Sequence, residues 1–161
     1  GTASKPINVA AYNPETKEIY WEDIDNKPVI NGHGLVNSVF YLYNADNWII
    51  SNLEITNTDG SDADQGELIG IQVVQEDVGI AENITIRNCY IHDVNGKVEG
   101  KGRGGIQINV IGKSVPTRIN NVLIENNLIS NSFSLNPGFV KRTITDGLSM
   151  FPQKGCGIIS K

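Results

Sequence analysis

The sequence predicts an all-β fold, a parallel β-helix of stacked three-strand coils. An eleven-residue phrase occurs three times, at Asn47–Asn57, Asn83–Asp93 and Asn121–Asn131, with starts 36 and then 38 residues apart. Each copy reads Asn, apolar, any, Ile, any, Asn, any, any, Ile, any, Asn or Asp. Self-similarity at such a period is the mark of a solenoid or array. Inside the phrase the apolar residues alternate with period two, as Trp48/Ile50, Ile84/Ile86 and Val122/Ile124, which is the pattern of a strand. Helical periodicity is absent, and Val, Ile and Thr crowd the periodic segments.

Taken in order, Pro6–Tyr12 and Pro28–Gly32 read as strands of an irregular early coil spanning 1–38. Val39-Phe-Tyr-Leu42 is expected to take the place that Gly70-Ile-Gln-Val73 and Gly105-Ile-Gln-Ile108 take in later coils, with Gly157-Ile-Ile159 a weaker echo. The phrase supplies the other two strands of each regular coil within 39–131. After its second Asn the alternation breaks, and Ile55, Ile91 or Ile129 opens another short strand. A sharp turn is expected at that Asn, a residue that tolerates a left-handed backbone. Asn52, Asn88 and Asn126 are therefore predicted to stack as a hydrogen-bonded asparagine ladder. Ile50/Ile86/Ile124 and Ile55/Ile91/Ile129 are predicted to be aliphatic ladders in the core.

One domain over 1–161 is the organisation expected, since no Gly/Ser or Pro tract divides the chain. Hydrophobic content of 39% and charged content of 19% fit a folded chain with a real core. The net charge of -5 argues against nucleic acid or an anionic membrane as partner. No run of about 18 apolar residues predicts a membrane span. Two cysteines do not make a disulfide framework, and Cys89, within a repeat, is expected to be an inert packed thiol.

The excess length of each period falls between the end of the phrase and the next strand, at 58–69, 94–104 and 132–156, the last read as a long loop. Stacking would align these insertions on one edge, where repeat proteins bind partners. Asp62, Asp64 and Glu67 of the first supply hard oxygen donors for Ca²⁺, against the plainer reading of an acidic surface loop. Lys97, Lys101 and Arg103 of the second form a cationic site for an acidic sugar, or else salt bridges between loops. Lys101 or Arg103 would be the base or charge stabiliser, with Lys97 and Arg142 binding substrate. His92, followed by Asp93 at the turn, should point outward beside this edge. It is an acid/base candidate, the alternative being a His that caps a turn. His33, in a Gly-rich turn, reads as exposed and incidental. No Gly-x-Ser-x-Gly, Cys-x-x-Cys, phosphate-loop or zinc-helix motif is present.

The phrases Asn83–Gly96 and Asn121–Asn131, with the opening Gly1-Thr-Ala-Ser-Lys-Pro-Ile7, resemble the right-handed parallel β-helix proteins of the pectin lyase-like superfamily. The resemblance covers nearly the whole chain and is more specific for fold than for activity. It implies an extracellular or periplasmic carbohydrate-active protein, a polysaccharide lyase or a glycoside hydrolase. The alternative is a non-catalytic carbohydrate-binding or adhesin-like β-helix. For a lyase it implies acidic Ca²⁺ ligands with a Lys or Arg base, and for a hydrolase a pair of carboxylates. Such proteins have more coils and capped ends. The chain is accordingly expected to be an internal segment, partnered by the rest of its own β-helix and not stable alone.

Overall fold

The computed structural model describes residues 1–19, 27–60, 67–94, 104–131, 148–152 and 157–159, which contain fifteen β-strands and no helix. In chain order these are β1 (Ile7–Ala10), β2 (Tyr12–Asn13), β3 (Glu18–Ile19), β4 (Val29–Asn31), β5 (Ser38–Tyr43), β6 (Trp48–Ser51), β7 (Glu54–Asn57) and β8 (Ile69–Glu76). They continue as β9 (Ile80–Arg87), β10 (Tyr90–Val94), β11 (Gly104–Ile111), β12 (Arg118–Glu125), β13 (Leu128–Ser130), β14 (Leu148–Pro152) and β15 (Gly157–Ile159).

Apart from the antiparallel pair β2/β3 and an isolated antiparallel bridge between Thr2 and Lys5, pairing among the described residues is parallel and falls into three sheets. The first sheet has the order β1-β6-β9-β12-β15, the second β13-β10-β7-β4 and the third β14-β11-β8-β5. From β4 onward the chain visits second, third and first sheet in turn, so each strand pairs with the strand three places along. The register superposes equivalent positions of the repeat. Ile50 pairs with Ile86 and Ile86 with Ile124 in the first sheet. Ile55, Ile91 and Ile129 align in the second, and Phe40, Ile71 and Ile106 in the third. Ile50, Ile55, Ile71, Ile86, Ile91 and Ile106 are all fully buried, so the inward rows of the three sheets meet in one apolar cluster. Burying each such side chain contributes on the order of 1.5–3 kcal/mol.

The corners are built by Asn and Asp. Asn47, Asn83 and Asn121 have positive φ, as do Asn52, Asn88 and Asn126, and Asn44, Asp77, Asp93 and Asn131. These short polar residues enter the left-handed region at lower cost than others. At the third-sheet corners the side chain also reaches the strand end or turn one repeat along. Asn44 exchanges hydrogen bonds with the Glu76 backbone (3.1 and 2.8 Å), and Asp77 Oδ1 accepts from the backbone N–H of Lys113, Ser114 and Val115 (2.8, 2.8 and 3.0 Å).

The structure differs from the sequence reading in three places. Asn52, Asn88 and Asn126 do make the left-handed turn, but the Asn52 amide is buried with neither polar atom hydrogen-bonded. The side-chain series runs instead through the first Asn of each phrase, from Asn83 Nδ2 to Asn47 Oδ1 (2.7 Å) and from Asn121 Nδ2 to Asn83 Oδ1 (3.0 Å). Those positions lie where the strand bends, and β9 and β12 run on upstream of them. Second, Gly157–Ile159 pairs with β12 in the first sheet, not with the Gly-Ile segments of the third. Third, the place beside β11 is taken by β14, inside the stretch read as a loop at 132–156. There Leu148-Ser-Met150 continues the alternation of Ile106-Gln-Ile108, with Ile106 opposite Leu148. Gly70, which opens the Gly-Ile segment, has a packing reason. A Cβ there would meet the Gly105 carbonyl oxygen at 2.6 Å and Ile91 Cγ2 at 2.9 Å.

Candidate functional site

Along β7 and β10, period-two alternation turns Ile55 and Ile91 into the core and leaves Glu54, Tyr90 and His92 on the outer face of the second sheet. Glu54 lies opposite Tyr90, which brings its carboxylate diagonally to His92, with Nε2 to Oε1 at 3.0 Å. The register slips between His92 and Val94, and Asp93 has φ 50° at the slip. Such a bulge re-aims a side chain, and the Asp93 carboxylate turns back to His92 Nδ1 at 2.5 Å. Tyr90 stacks on the imidazole with centroids 4.2 Å apart and planes 22° from parallel.

A neutral imidazole donates from one nitrogen only, so two carboxylate partners are both satisfied only by imidazolium. The charge on His92 reflects a balance. Partial burial disfavours the cation, but the hydrogen bonds and charges of Asp93 and Glu54 outweigh it and raise the pKa above the ordinary histidine value. The His92 imidazole is thus held between two carboxylates that favour its protonated form. The His92 side chain is 16% exposed and that of Asp93 38%, so solvent reaches the cluster from the Asp93 side. Around it, Thr56 Oγ1 donates to the Asp93 carbonyl (3.5 Å), and Ser130 Oγ to the Tyr90 hydroxyl (3.4 Å).

A second polar strip lies on the outer face of the third sheet. Phe40 and Leu42 pack inward, leaving Tyr41 and Tyr43 exposed, with nearly parallel rings 6.1 Å apart. Tyr41 aligns with Gln72 and Gln107, and Tyr43 with Val74 and Asn109. Side chains connect the row. Ser38 Oγ donates to Gln72 Oε1 (2.7 Å), Gln72 Nε2 to Gln107 Oε1 (2.8 Å), and Asn109 Nδ2 to the same Gln107 oxygen (3.2 Å). At its end Glu76 accepts from Tyr43 Oη (3.3 Å) and from Lys113 Nζ (2.5 Å).

Of the residues singled out from sequence, the structure brings His92 and Asp93 into contact and adds Glu54. Glu67 is exposed. Asp62, Asp64, Lys97, Lys101, Arg103 and Arg142 lie outside the described residues. Among the described residues, no group of three or more His, Cys, Asp or Glu side chains is placed to hold a metal ion. His33 is exposed, with φ 55°. Cys89 is a buried free thiol, its pKa pushed up by burial, so it is poorly suited to act as a nucleophile. Glu54 was legible only by superposing the copies, where position eight holds Glu54, Tyr90 and Leu128. The outer strip was signalled by the polar positions of the Gly-Ile segments, once the apolar ones were assigned to the core.

No protein-family model matches the chain, and no solved structure does. Among curated proteins the chain is similar to a lacto-N-biosidase of Bifidobacterium longum subsp. longum, 28% identical over 145 residues that take in 66% of this chain. The chain spans 9% of the length of that relative.

Proposed function

We propose that the chain is part of a right-handed parallel β-helix in a carbohydrate-active protein of the glycoside hydrolase type. The similarity to a lacto-N-biosidase is the observation that carries the activity. The β-helix reading is supported by three parallel sheets visited in fixed rotation around one apolar cluster. Glycoside hydrolysis ordinarily needs two carboxyl groups flanking the bond, with one proton delivered to the leaving oxygen. Glu54 and Asp93 are the proposed pair, and the His92 imidazolium between them is the proposed proton donor. Lys97 and Arg142 remain proposed substrate contacts, and an extracellular or periplasmic location belongs to the same reading.

The full-length protein incubated with an oligosaccharide panel tests this. New reducing ends without ultraviolet absorbance support hydrolysis, and Asp93→Asn should then lower the rate at least about a hundredfold. Absorbance from unsaturated ends would overturn hydrolysis in favour of elimination, with Lys101 or Arg103 as base. A Ca²⁺ site at Asp62, Asp64 and Glu67 is proposed with that alternative, and a rate indifferent to EDTA removes it.

A binding-only role is the second reading. It is favoured by the engagement of both carboxylates with His92, an arrangement that also serves as a cross-strand tie. Saturable binding with no cleavage by the full-length protein would establish it.

A further inference from the structure

We infer that the outer face of β5, β8 and β11 is a binding site for an uncharged oligosaccharide, contacted by Tyr41, Tyr43, Gln72 and Asn109. The inference rests on the carbohydrate-active reading above and names the substrate class at a face of the fold distinct from the Glu54–His92–Asp93 cluster.

The first support is exposed aromatic surface in an ordered place. Tyr41 is 56% and Tyr43 50% exposed, although both belong to a strand whose alternate residues are anchored in the core. An aromatic ring offers an apolar face for the C–H side of a sugar and loses little conformational entropy, having only two side-chain torsions. The rings' nearly parallel planes, 6.1 Å apart, form one extended apolar surface.

The second support is the amide row beside them. Gln107, 2% exposed, is the fixed centre to which Gln72 and Asn109 donate. A carboxamide carries two N–H donors and an acceptor oxygen. Gln72 and Asn109, both partly exposed, spend one N–H each on Gln107 and retain further capacity for hydroxyl groups. Their geometry is set before a ligand arrives, which lowers the entropic cost of binding.

The third support is charge. Among the described residues at the end of this face the ionised side chains are Glu76, Asp77 and Lys113; Glu76 and Lys113 pair at 2.5 Å, and Asp77 adds a further negative charge beside them. A uronic acid would bring its carboxylate against amide oxygens and Glu76 with no unpaired described cation to meet it, an unfavourable desolvation. Among the described residues, an uncharged sugar meets chiefly hydrogen-bonding groups and ring faces. Three adjacent strands span two inter-strand spacings, roughly 9–10 Å, enough for more than one sugar unit.

The test is a calorimetric and NMR titration of the full-length protein with a neutral hexose tetrasaccharide, and with an oligogalacturonate of equal length. The expected result is binding of the neutral ligand, insensitive to salt, with the Tyr41 and Tyr43 ring resonances shifting on titration. Tyr41→Ala and Tyr43→Ala should each weaken binding about tenfold, whereas Tyr41→Phe stays within about twofold. The ring resonances of the unmodified chain keep the test decisive if an alanine variant unfolds. Preference for the oligogalacturonate with salt-dependent affinity overturns the inference, as do unmoved ring resonances or no binding of either ligand. Reducing ends are scored separately. Neutral-ligand binding without cleavage by the full-length protein leaves this inference standing and removes the hydrolase reading, while cleavage with unmoved ring resonances does the reverse.

Discussion

Asn52 shows how one residue type serves two physical needs in this chain. Its φ is 58° and its amide is fully buried without a hydrogen-bond partner, so the residue is kept for its backbone and not for its side chain. A buried unpaired amide is costly, which makes the left-handed conformation the decisive requirement. Glycine reaches that conformation freely, whereas alanine incurs roughly 1–2 kcal/mol. Asn52→Gly is therefore expected to be more stable than Asn52→Ala by about 1 kcal/mol, reversing the usual order of the two residues within regular structure. Denaturant midpoints measure this, and an alanine variant equal to or above glycine removes the argument. His92 sets a second expectation. Its pKa is raised in the folded state by Asp93 and Glu54 against the opposing effect of burial. The stabilisation it brings is fully present below the unfolded-state pKa, about 6.5, and is lost as pH rises through the higher folded value. His92→Gln should flatten that decline, and the His92 ring resonance should titrate above the model-peptide midpoint. A midpoint at or below it would show that the carboxylates do not hold the proton.

Strands in this fold are stabilised by the strands above and below them, not by their own sequence neighbours. Ile86 is fully buried between Ile50 and Ile124, whereas Ile124 is only partly buried. Truncation of a buried Ile to Ala costs about 2–5 kcal/mol, depending on how far the site collapses. Ile86→Ala is expected in the upper part of that range and Ile124→Ala below it, by chemical denaturation. Equal losses would mean that stacking position does not matter. The same vertical logic made the strands legible in the sequence. Ile50, Ile86 and Ile124 recur because each pairs with the next at the same position of the repeat. The strand Leu148–Pro152 was missed because its copy opens Gly147-Leu148 instead of Gly-Ile and lies inside a stretch read as one long loop. Glycine is demanded at Gly70 by close contact with Gly105 and Ile91, a neighbourhood fixed by packing.

At the scale of the molecule, three parallel sheets share one core, and each strand pairs with its counterparts one repeat before and after it. Under the proposed β-helix, stability approximates a sum over coils and their interfaces. Native-state hydrogen exchange is expected to show the slowest amides in β6, β9 and β12 and faster exchange in the edge strands β1 and β4. Uniform protection across these strands would show a single cooperative unit instead. The candidate site also belongs to this scale. The outer-face cluster joins Glu54 to His92 and Asp93 across 38 residues of sequence, and the amide strip joins Ser38 to Gln72 and Gln107 across three strands. His92 and Asp93 could be nominated from sequence because a titratable pair at a turn stands out. Glu54, Tyr41 and Gln72 stand out only once the copies are superposed, because a polar residue on a strand carries no sign by itself of what its neighbour one repeat away will be.

The sequence by itself determined the periodic strands, the left-handed asparagine corners and the aliphatic rows of the core. Each of these follows from local chemistry repeated at a fixed interval: alternation, φ tolerance and side-chain volume. Only the tertiary structure decided which asparagines bond to one another, which strand completes the third sheet and which carboxylate meets His92. Those outcomes turn on register and bulge, where a shift of one residue moves a side chain to the opposite face or to a new partner.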